Sequence, residues 1–386
     1  MTTKPEKPIM LFDLPSAQKA IGQEKFLESF KAILNHGGYA QGPECTQLEE
    51  KLASYSGAKN CLTCSSGTDA LILALMAWGV KSGDAVYVPS FTFVATAEAV
   101  AFLGATPVFV DSDPDTFNMD VNDLKKAIEE TKTQGKLTPK AIISVDIFGS
   151  PVDYDAISAV AKENNMKFLS DAAQSYGSSY NGKKIGSSAL CDMTATSFYP
   201  TKPLACYGDG GAVFCNTDEE FALLKSCRVH GMSTEDKYDN LRLGLTGRMD
   251  SFQAAVILHK LSIFDKEMKD RETIGRYYHK NMPAAYKTQK ILDGAQSAWA
   301  IYTILSDNRE ALMNHLKECG VPFASFYPRP VHTQTAYQMY NTRKLPVCET
   351  LAKQVVSLPM HPYLTQQEQD YILSCLADFA SKTKAA

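Results

Sequence analysis

Short apolar runs recur along the first two-thirds of the chain, at 60–64, 85–88, 107–110, 141–147, 167–170, 193–198 and 211–215. Each is a few residues long and rich in β-branched or aromatic side chains, as in strands buried on both faces. Stretches with helical spacing separate several of them, among them 68–77 and 154–164. Gly79 lies just beyond the first and reads as its stop; Asp153 precedes the second and reads as its N-cap. Strands alternating with helices predict an α/β fold built on a mostly parallel seven-stranded sheet covered on both faces.

Residues 252–282 are rich in helix formers and free of proline until Pro283, which predicts one long linking helix. The expected division is an arm over 1–25, a large domain over 26–251, this helix over 252–282, and a smaller α+β domain over 283–386. Pro322, Pro328, Pro330, Pro346, Pro359 and Pro362 punctuate the last of these. The first 25 residues carry no strong period.

Composition narrows the class. A chain of 386 residues exceeds one ordinary core, and 45% hydrophobic residues suffice to bury a large one. A net charge of −4 with no block of like charge argues against nucleic acid or an anionic membrane as partner. Lys4 and Lys7 are followed by no long apolar stretch, and no run approaches the ~18 apolar residues of a membrane span. Ten scattered cysteines suit a reducing cytoplasm. Cys61 and Cys64 form a C-x-x-C, but no second ligand pair at zinc spacing accompanies them, so they read as small buried strand residues and no metal is expected.

The candidate chemistry sits just past the predicted strands, where open parallel sheets bind ligands. Lys202 follows the run at 193–198 and precedes the cluster Gly208-Asp209-Gly210-Gly211. Asp171 closes the run at 167–170. Ser65-Ser66-Gly67-Thr68 is a small-residue turn opening a helix, whose free N–H groups and dipole suit a phosphate. Phe93 supplies an aromatic ring after another strand. Taken singly these are a surface lysine, a helix cap, an N-cap and a core ring. Together they suit pyridoxal phosphate (PLP), with a lysine for the Schiff base and an acid for the ring nitrogen.

With these motifs in view, the chain resembles the DegT/DnrJ/EryC1/StrS family of PLP-dependent sugar aminotransferases. The resemblance rests on 66–71, 89–93, Asp171-Ala172-Ala173-Gln174, 197–202 and 208–211, and extends from Phe12-Asp13-Leu14 to 358–362. It implies the aspartate aminotransferase-like fold (PLP fold type I). Within the family, Lys202-Pro203-Leu204, Cys206–Gly211 and 358–364 look most like enzymes that aminate UDP-linked 3-keto-N-acetylglucosaminuronate.

The resemblance also implies roles. Lys202 would carry the cofactor and shuttle a proton, Asp171 would pair with the ring nitrogen, Gln174 would lie at the ring hydroxyl and Phe93 would stack on the ring. Ser66, Gly67, Thr68 and Ser197 would hold the phosphate. The 244–250 segment would reach a neighbour's site in a homodimer, bringing Thr246 to the phosphate and Arg248 to the substrate. Thr246-Gly247 replaces the commoner Asn-Ser, and Phe326 replaces a His common before Tyr327. Tyr327 and His332 would contact the sugar. The implied reaction moves an amino group from L-glutamate to a nucleotide-linked keto sugar, favoured as a UDP-linked 3-keto-N-acetylhexosaminuronate, in surface-polysaccharide or lipopolysaccharide precursor synthesis. The alternatives are a 4-keto-6-deoxy acceptor, a sugar dehydratase, against which Lys202 argues because such relatives carry histidine there, and a non-catalytic regulator on the same fold.

Overall fold

The computed structural model describes residues 3–233, 235–236 and 238–385. The chain opens with α1 (Leu14–Ile21), α2 (Gln23–His36), α3 (Pro43–Ser56), β1 (Asn60–Cys64), α4 (Gly67–Ala77) and β2 (Asp84–Pro89). It continues with α5 (Ala95–Phe102), β3 (Thr106–Val110), α6 (Val121–Gln134), β4 (Thr138–Val145), α7 (Tyr154–Glu163) and β5 (Lys167–Asp171). Two short strands, β6 (Ser179–Tyr180) and β7 (Lys183–Lys184), precede β8 (Met193–Ser197), β9 (Gly211–Cys215), α8 (Asp218–Arg228) and α9 (Ser251–Asn281). The rest holds β10 (Lys287–Thr288), β11 (Ala295–Gln296), β12 (Tyr302–Leu305), α10 (Arg309–Cys319), α11 (Pro346–Gln354), β13 (Val355–Leu358) and α12 (Gln366–Ala385).

Seven strands form one sheet in the order β1-β9-β8-β5-β4-β2-β3. The pairs from β8 through β3 are parallel; β9 runs antiparallel to both β8 and β1. Two reversals leave β1 parallel to the rest, so six strands end at one edge of the sheet. β9 starts at that edge, with Gly211 opposite Cys64 and Ser197. The strand β2 shows why the pattern was readable: all of Asp84–Pro89 is buried, as helices on both faces require. Helix α4 is apolar around most of its circumference because it lies inside the large core, with 70–75 buried throughout.

Helix ends follow local chemistry. Asp153 accepts from the Ala156 amide at 3.0 Å and starts α7. Trp78 caps α4 and Gly79 follows at φ +66°, where a side chain is disfavoured. The 1–25 segment contains a helix that its weak period did not announce. Only Ala17 and Ile21 of α1 are buried, too few to leave a stripe, while Asp13 caps it through the Ser16 amide.

Helix α9 ties two cores together. Ala254, Val256, Ile257 and Phe264 join the cluster beneath α2 and α3, while Ile274 and Tyr278 join a second cluster formed with β12, β13 and α12. The second cluster surrounds the antiparallel sheet β10-β12-β13. No helix among the described residues is long and apolar enough to cross a membrane.

Candidate active site

A cavity of about 680 Å³ opens at the strand-end edge. Ser66, Gly67, Thr68, Phe93, Asp171, Gln174, Ser197, Lys202 and Tyr327 all line it. Residues separated by as much as 261 positions thus meet because the sheet directs β1, β2, β5 and β8 to the same edge.

One wall is the start of α4. Ser66 caps it by accepting from the Asp69 amide at 3.0 Å. The Ser66 carbonyl also takes the Ala70 amide at 3.0 Å, which leaves the Gly67 and Thr68 amides at the cavity wall for an anion. The backbone is drawn close here. A Cβ on Gly67 would lie 2.6 Å from Ser197 Cβ, and one on Gly211 would lie 2.3 Å from the Ser66 carbonyl oxygen. Only glycine allows the ends of β8 and β9 to close against this turn.

Asp171 ends β5 and is 7% exposed. Its Oδ2 accepts from Thr96 Oγ1 at 2.9 Å and its Oδ1 from the Ala173 amide at 3.2 Å. Burial raises its pKa, opposed by Thr96, Ala173 and the charge of Lys202. Lys202 follows β8, on a loop whose Lys202 amide donates to the Tyr199 carbonyl at 2.8 Å. Burial lowers its pKa, and Asp171 opposes that shift. The two groups sense each other across one site, and each is held away from its usual charge balance mainly by burial.

Gln174 is pinned at both ends: its Oε1 accepts from the Phe148 amide at 2.7 Å, and its Nε2 donates to Tyr327 Oη at 3.1 Å. The Tyr327 hydroxyl proton is thereby left to point elsewhere, and burial pushes that phenol's pKa well up. Phe93 sits on the rim, 54% exposed, with its ring centre 6.2 Å from that of Tyr327. Phe326 also lines the wall, an apolar surface where a histidine would have offered a donor.

Three expected site residues do not reach this cavity. His332 is a correction: it is 1% exposed, with Nδ1 2.6 Å from Ser90 Oγ and Nε2 3.4 Å from Glu349 Oε1. Both ring nitrogens are occupied by protein, so it ties the 331–333 turn to the end of β2. Thr246 and Arg248 are exposed outside their own chain's cavity, where Arg248 Nη2 donates to Thr246 Oγ1 at 2.5 Å. The Gly247 carbonyl accepts from the Ser65 amide at 3.0 Å, so this segment lies beside the α4 turn.

Some lining residues escaped the sequence reading. Thr96 supports Asp171 from α5, and its hydroxyl also lies 3.3 Å from that of Thr92, which precedes the helix. Phe12 comes from the N-terminal segment, and Ala300 and Ile301 come from beyond α9. Cys61 and Cys64 are buried in β1, far from any free thiolate character, since burial raises both thiols.

The residues fit PLP. A helix N-terminus with hydroxyls suits its phosphate, a buried carboxylate with acceptor capacity to spare suits its ring nitrogen, and a lysine suits its aldehyde. Residues 20–377 match the DegT/DnrJ/EryC1/StrS aminotransferase family. The chain is similar to UDP-2-acetamido-2-deoxy-3-oxo-D-glucuronate aminotransferase of Pseudomonas aeruginosa, 43% identical over 96% of this chain and 100% of that protein. It is also similar to UDP-N-acetyl-3-dehydro-alpha-D-glucosamine 3-aminotransferase of Acidithiobacillus ferrooxidans, 34% identical over 90% of this chain and 91% of that one. Among solved structures, a DegT DnrJ EryC1 StrS aminotransferase from Brucella abortus superposes with a TM-score of 0.93 at 43% identity, covering 96% of this chain and 99% of that one.

Proposed function

From the premise that this chain belongs to the DegT/DnrJ/EryC1/StrS aminotransferase family, we propose that it moves an amino group from L-glutamate to a UDP-linked 3-keto-N-acetylhexosaminuronate. The chain is a PLP-dependent aminotransferase. The observation that carries the reading is the placement of Lys202 and Asp171 on one cavity with the α4 N-terminus. The similarity to two enzymes named for UDP-linked 3-oxo sugars supports the acceptor.

When bound, PLP supplies an electron sink for the carbon that gains or loses the amino group. The protein's residues do the rest. Gly67, Thr68 and Ser197 would bind the phosphate and fix the cofactor's position. Phe93, on the cavity rim, would cover one ring face and exclude water there. Asp171, its two oxygens oriented by Thr96 and the Ala173 amide, would accept from the ring N–H and keep that proton in place. Lys202 would hold the cofactor through its amine; once the donor's amine has displaced it, that freed amine, easier to deprotonate because it is buried, would move a proton at the reacting carbon. Tyr327, steadied by Gln174, presents its hydroxyl to the sugar.

The working unit is a homodimer in this reading. Leu27, Leu34, Tyr39, Leu241 and Leu243 are large apolar side chains left exposed, which supports burial of some of this surface by a second copy. Thr246 and Arg248, idle in their own chain, then serve the neighbouring site.

The test is a panel of nucleotide keto sugars offered to glutamate-loaded enzyme, with products identified. Amination of the UDP-linked 3-keto uronate is expected. Turnover of only a 4-keto-6-deoxy sugar would move the protein to another branch of the family.

A further inference from the structure

A second, smaller pocket of about 40 Å³ lies against the loop 200–203 that carries Lys202. It shares Phe12, Thr201 and Lys202 with the large cavity. Three α9 side chains on one helix face, Lys260, Glu267 and Arg271, line it together with Asp13, His361 and Tyr363. The α9 trio is 7%, 7% and 6% exposed respectively.

The hydrogen bonding of this cluster is lopsided. The acids have partners: Glu267 Oε1 accepts from the Tyr363 hydroxyl, and Asp13 accepts from Ser16 N at 3.2 Å and Ser16 Oγ at 2.6 Å. The cations do not. Lys260 makes no hydrogen bond among the described residues; its ammonium lies 5.0 Å from the Tyr207 ring centre. Arg271 donates Nη1 to the Trp299 carbonyl at 3.0 Å, but its buried Nε has no partner. Burial lowers the Lys260 pKa, with Glu267 only partly offsetting this. Buried charged donors without acceptors are costly unless a ligand completes them. The volume holds about three waters or one carboxylate group.

The large cavity poses the complementary question. Lys202 is the one cation among its described lining residues, while Asp171 and Asp209 are acidic. Lys202 is committed to the cofactor. A dicarboxylic amino donor therefore finds no fixed cation there from its own chain.

We propose that the pocket beside Lys202 is a carboxylate subsite, in which Lys260 and Arg271 hold one carboxylate of the acidic amino donor. The proposal rests on the reading of the protein as an acidic-donor aminotransferase. A donor with a single carboxylate would leave the pocket without its anion. Selectivity for dicarboxylates would then come from α9, not from the strand ends.

The test uses cofactor-loaded enzyme and glutarate, a dicarboxylate with no amino group to react, with binding measured by calorimetry. Valerate, the same chain with one carboxylate fewer, is the comparison. Wild type is expected to bind glutarate at least about tenfold tighter than valerate, the worth of one charge-assisted hydrogen-bonded pair. Lys260→Met is expected to lose about tenfold in glutarate affinity, and Lys260→Arg to recover part of it, with cofactor absorbance and melting temperature verifying that both variants fold. Equal glutarate affinity in wild type and Lys260→Met would overturn the subsite, as would no glutarate binding to wild type. Loss of glutarate affinity in Arg248→Ala alone would overturn it too, by placing the anion at the dimer-facing arginine. The donor is checked separately, by whether L-glutamate converts the wild-type cofactor to its amine form. Lys260-dependent glutarate binding without that conversion keeps the subsite and rejects glutamate; conversion with unchanged Lys260→Met binding does the reverse.

Discussion

At the scale of single residues, the site depends on keeping a carboxylate charged in a buried place. Asp171 is pulled toward neutrality by burial and back toward charge by Thr96, Ala173 and Lys202. Asp171→Asn keeps the shape and removes the charge, so turnover is expected to fall by orders of magnitude at every pH in single-turnover assays. Thr96 is a positioning residue with a finer signature. Its hydroxyl lowers the Asp171 pKa, so Thr96→Val should raise it. The acid limb of the pH–activity profile should then move to higher pH, because a hydrogen bond that favours the charged carboxylate has been removed. Activity would fall on the acid side while the alkaline side stayed in place. A Thr96→Val profile that drops uniformly, with no shifted limb, would show that Thr96 only packs. Lys202 is checked by borohydride, which should fix the cofactor to the peptide containing Lys202 and to none in Lys202→Ala.

At the scale of elements, the strands and the turn were legible, and the supports were not. Buried parallel strands leave continuous apolar runs, so β2 and β9 stand out from composition alone. Asp171, Lys202 and the 65–68 turn could be read because each directly follows such a run. Thr96 sits inside an alanine-rich buried helix, α5, where no polar face marks which threonine meets Asp171. His332 was misread for a related reason: sequence places a residue near a site but does not say which way its ring turns. Helix α1 was missed because two buried residues make no period. The tight contacts among α4, β8 and β9 were equally invisible, and they yield a prediction. Gly67→Ala sets a Cβ 2.6 Å from the Ser197 Cβ, which can yield only by moving the end of its strand. Gly211→Ala sets one against the Ser66 carbonyl and the Gly67 amide, which are backbone and cannot yield. Gly211→Ala should therefore cost more stability, about 1–3 kcal/mol as for overpacked cores. Gly67→Ala should cost less stability than that and also weaken PLP affinity, because it crowds the phosphate turn. Thermal melting of the apo-proteins against cofactor titration separates the two effects, and equal melting losses would refute the distinction.

At the scale of the whole molecule, two of the expected site residues stand outside the cavity of their own chain. That cavity gathers Lys202, Asp171 and the phosphate turn, whereas Thr246 and Arg248 stand outside it and exposed. Exposed Leu241 and Leu243 flank the same segment. A two-fold dimer would cover this face and exchange the segment between identical sites. Each chain would then contribute Lys202 to its own site and Arg248 to the other. Mixing two inactive variants, Lys202→Ala and Arg248→Ala, under conditions that allow exchange tests the geometry directly. A mixed dimer concentrates both lesions in one site and leaves the other intact. Random exchange makes about half the dimers mixed, each with one working site, so roughly a quarter of full activity should return if sites act independently. If exchange is demonstrated by mass and the Arg248→Ala parent is inactive, no recovery means that Arg248 serves its own chain. That outcome would require Arg248 to swing from its present contact with Thr246 into the cavity of its own chain, and the shared-site dimer would fall with it.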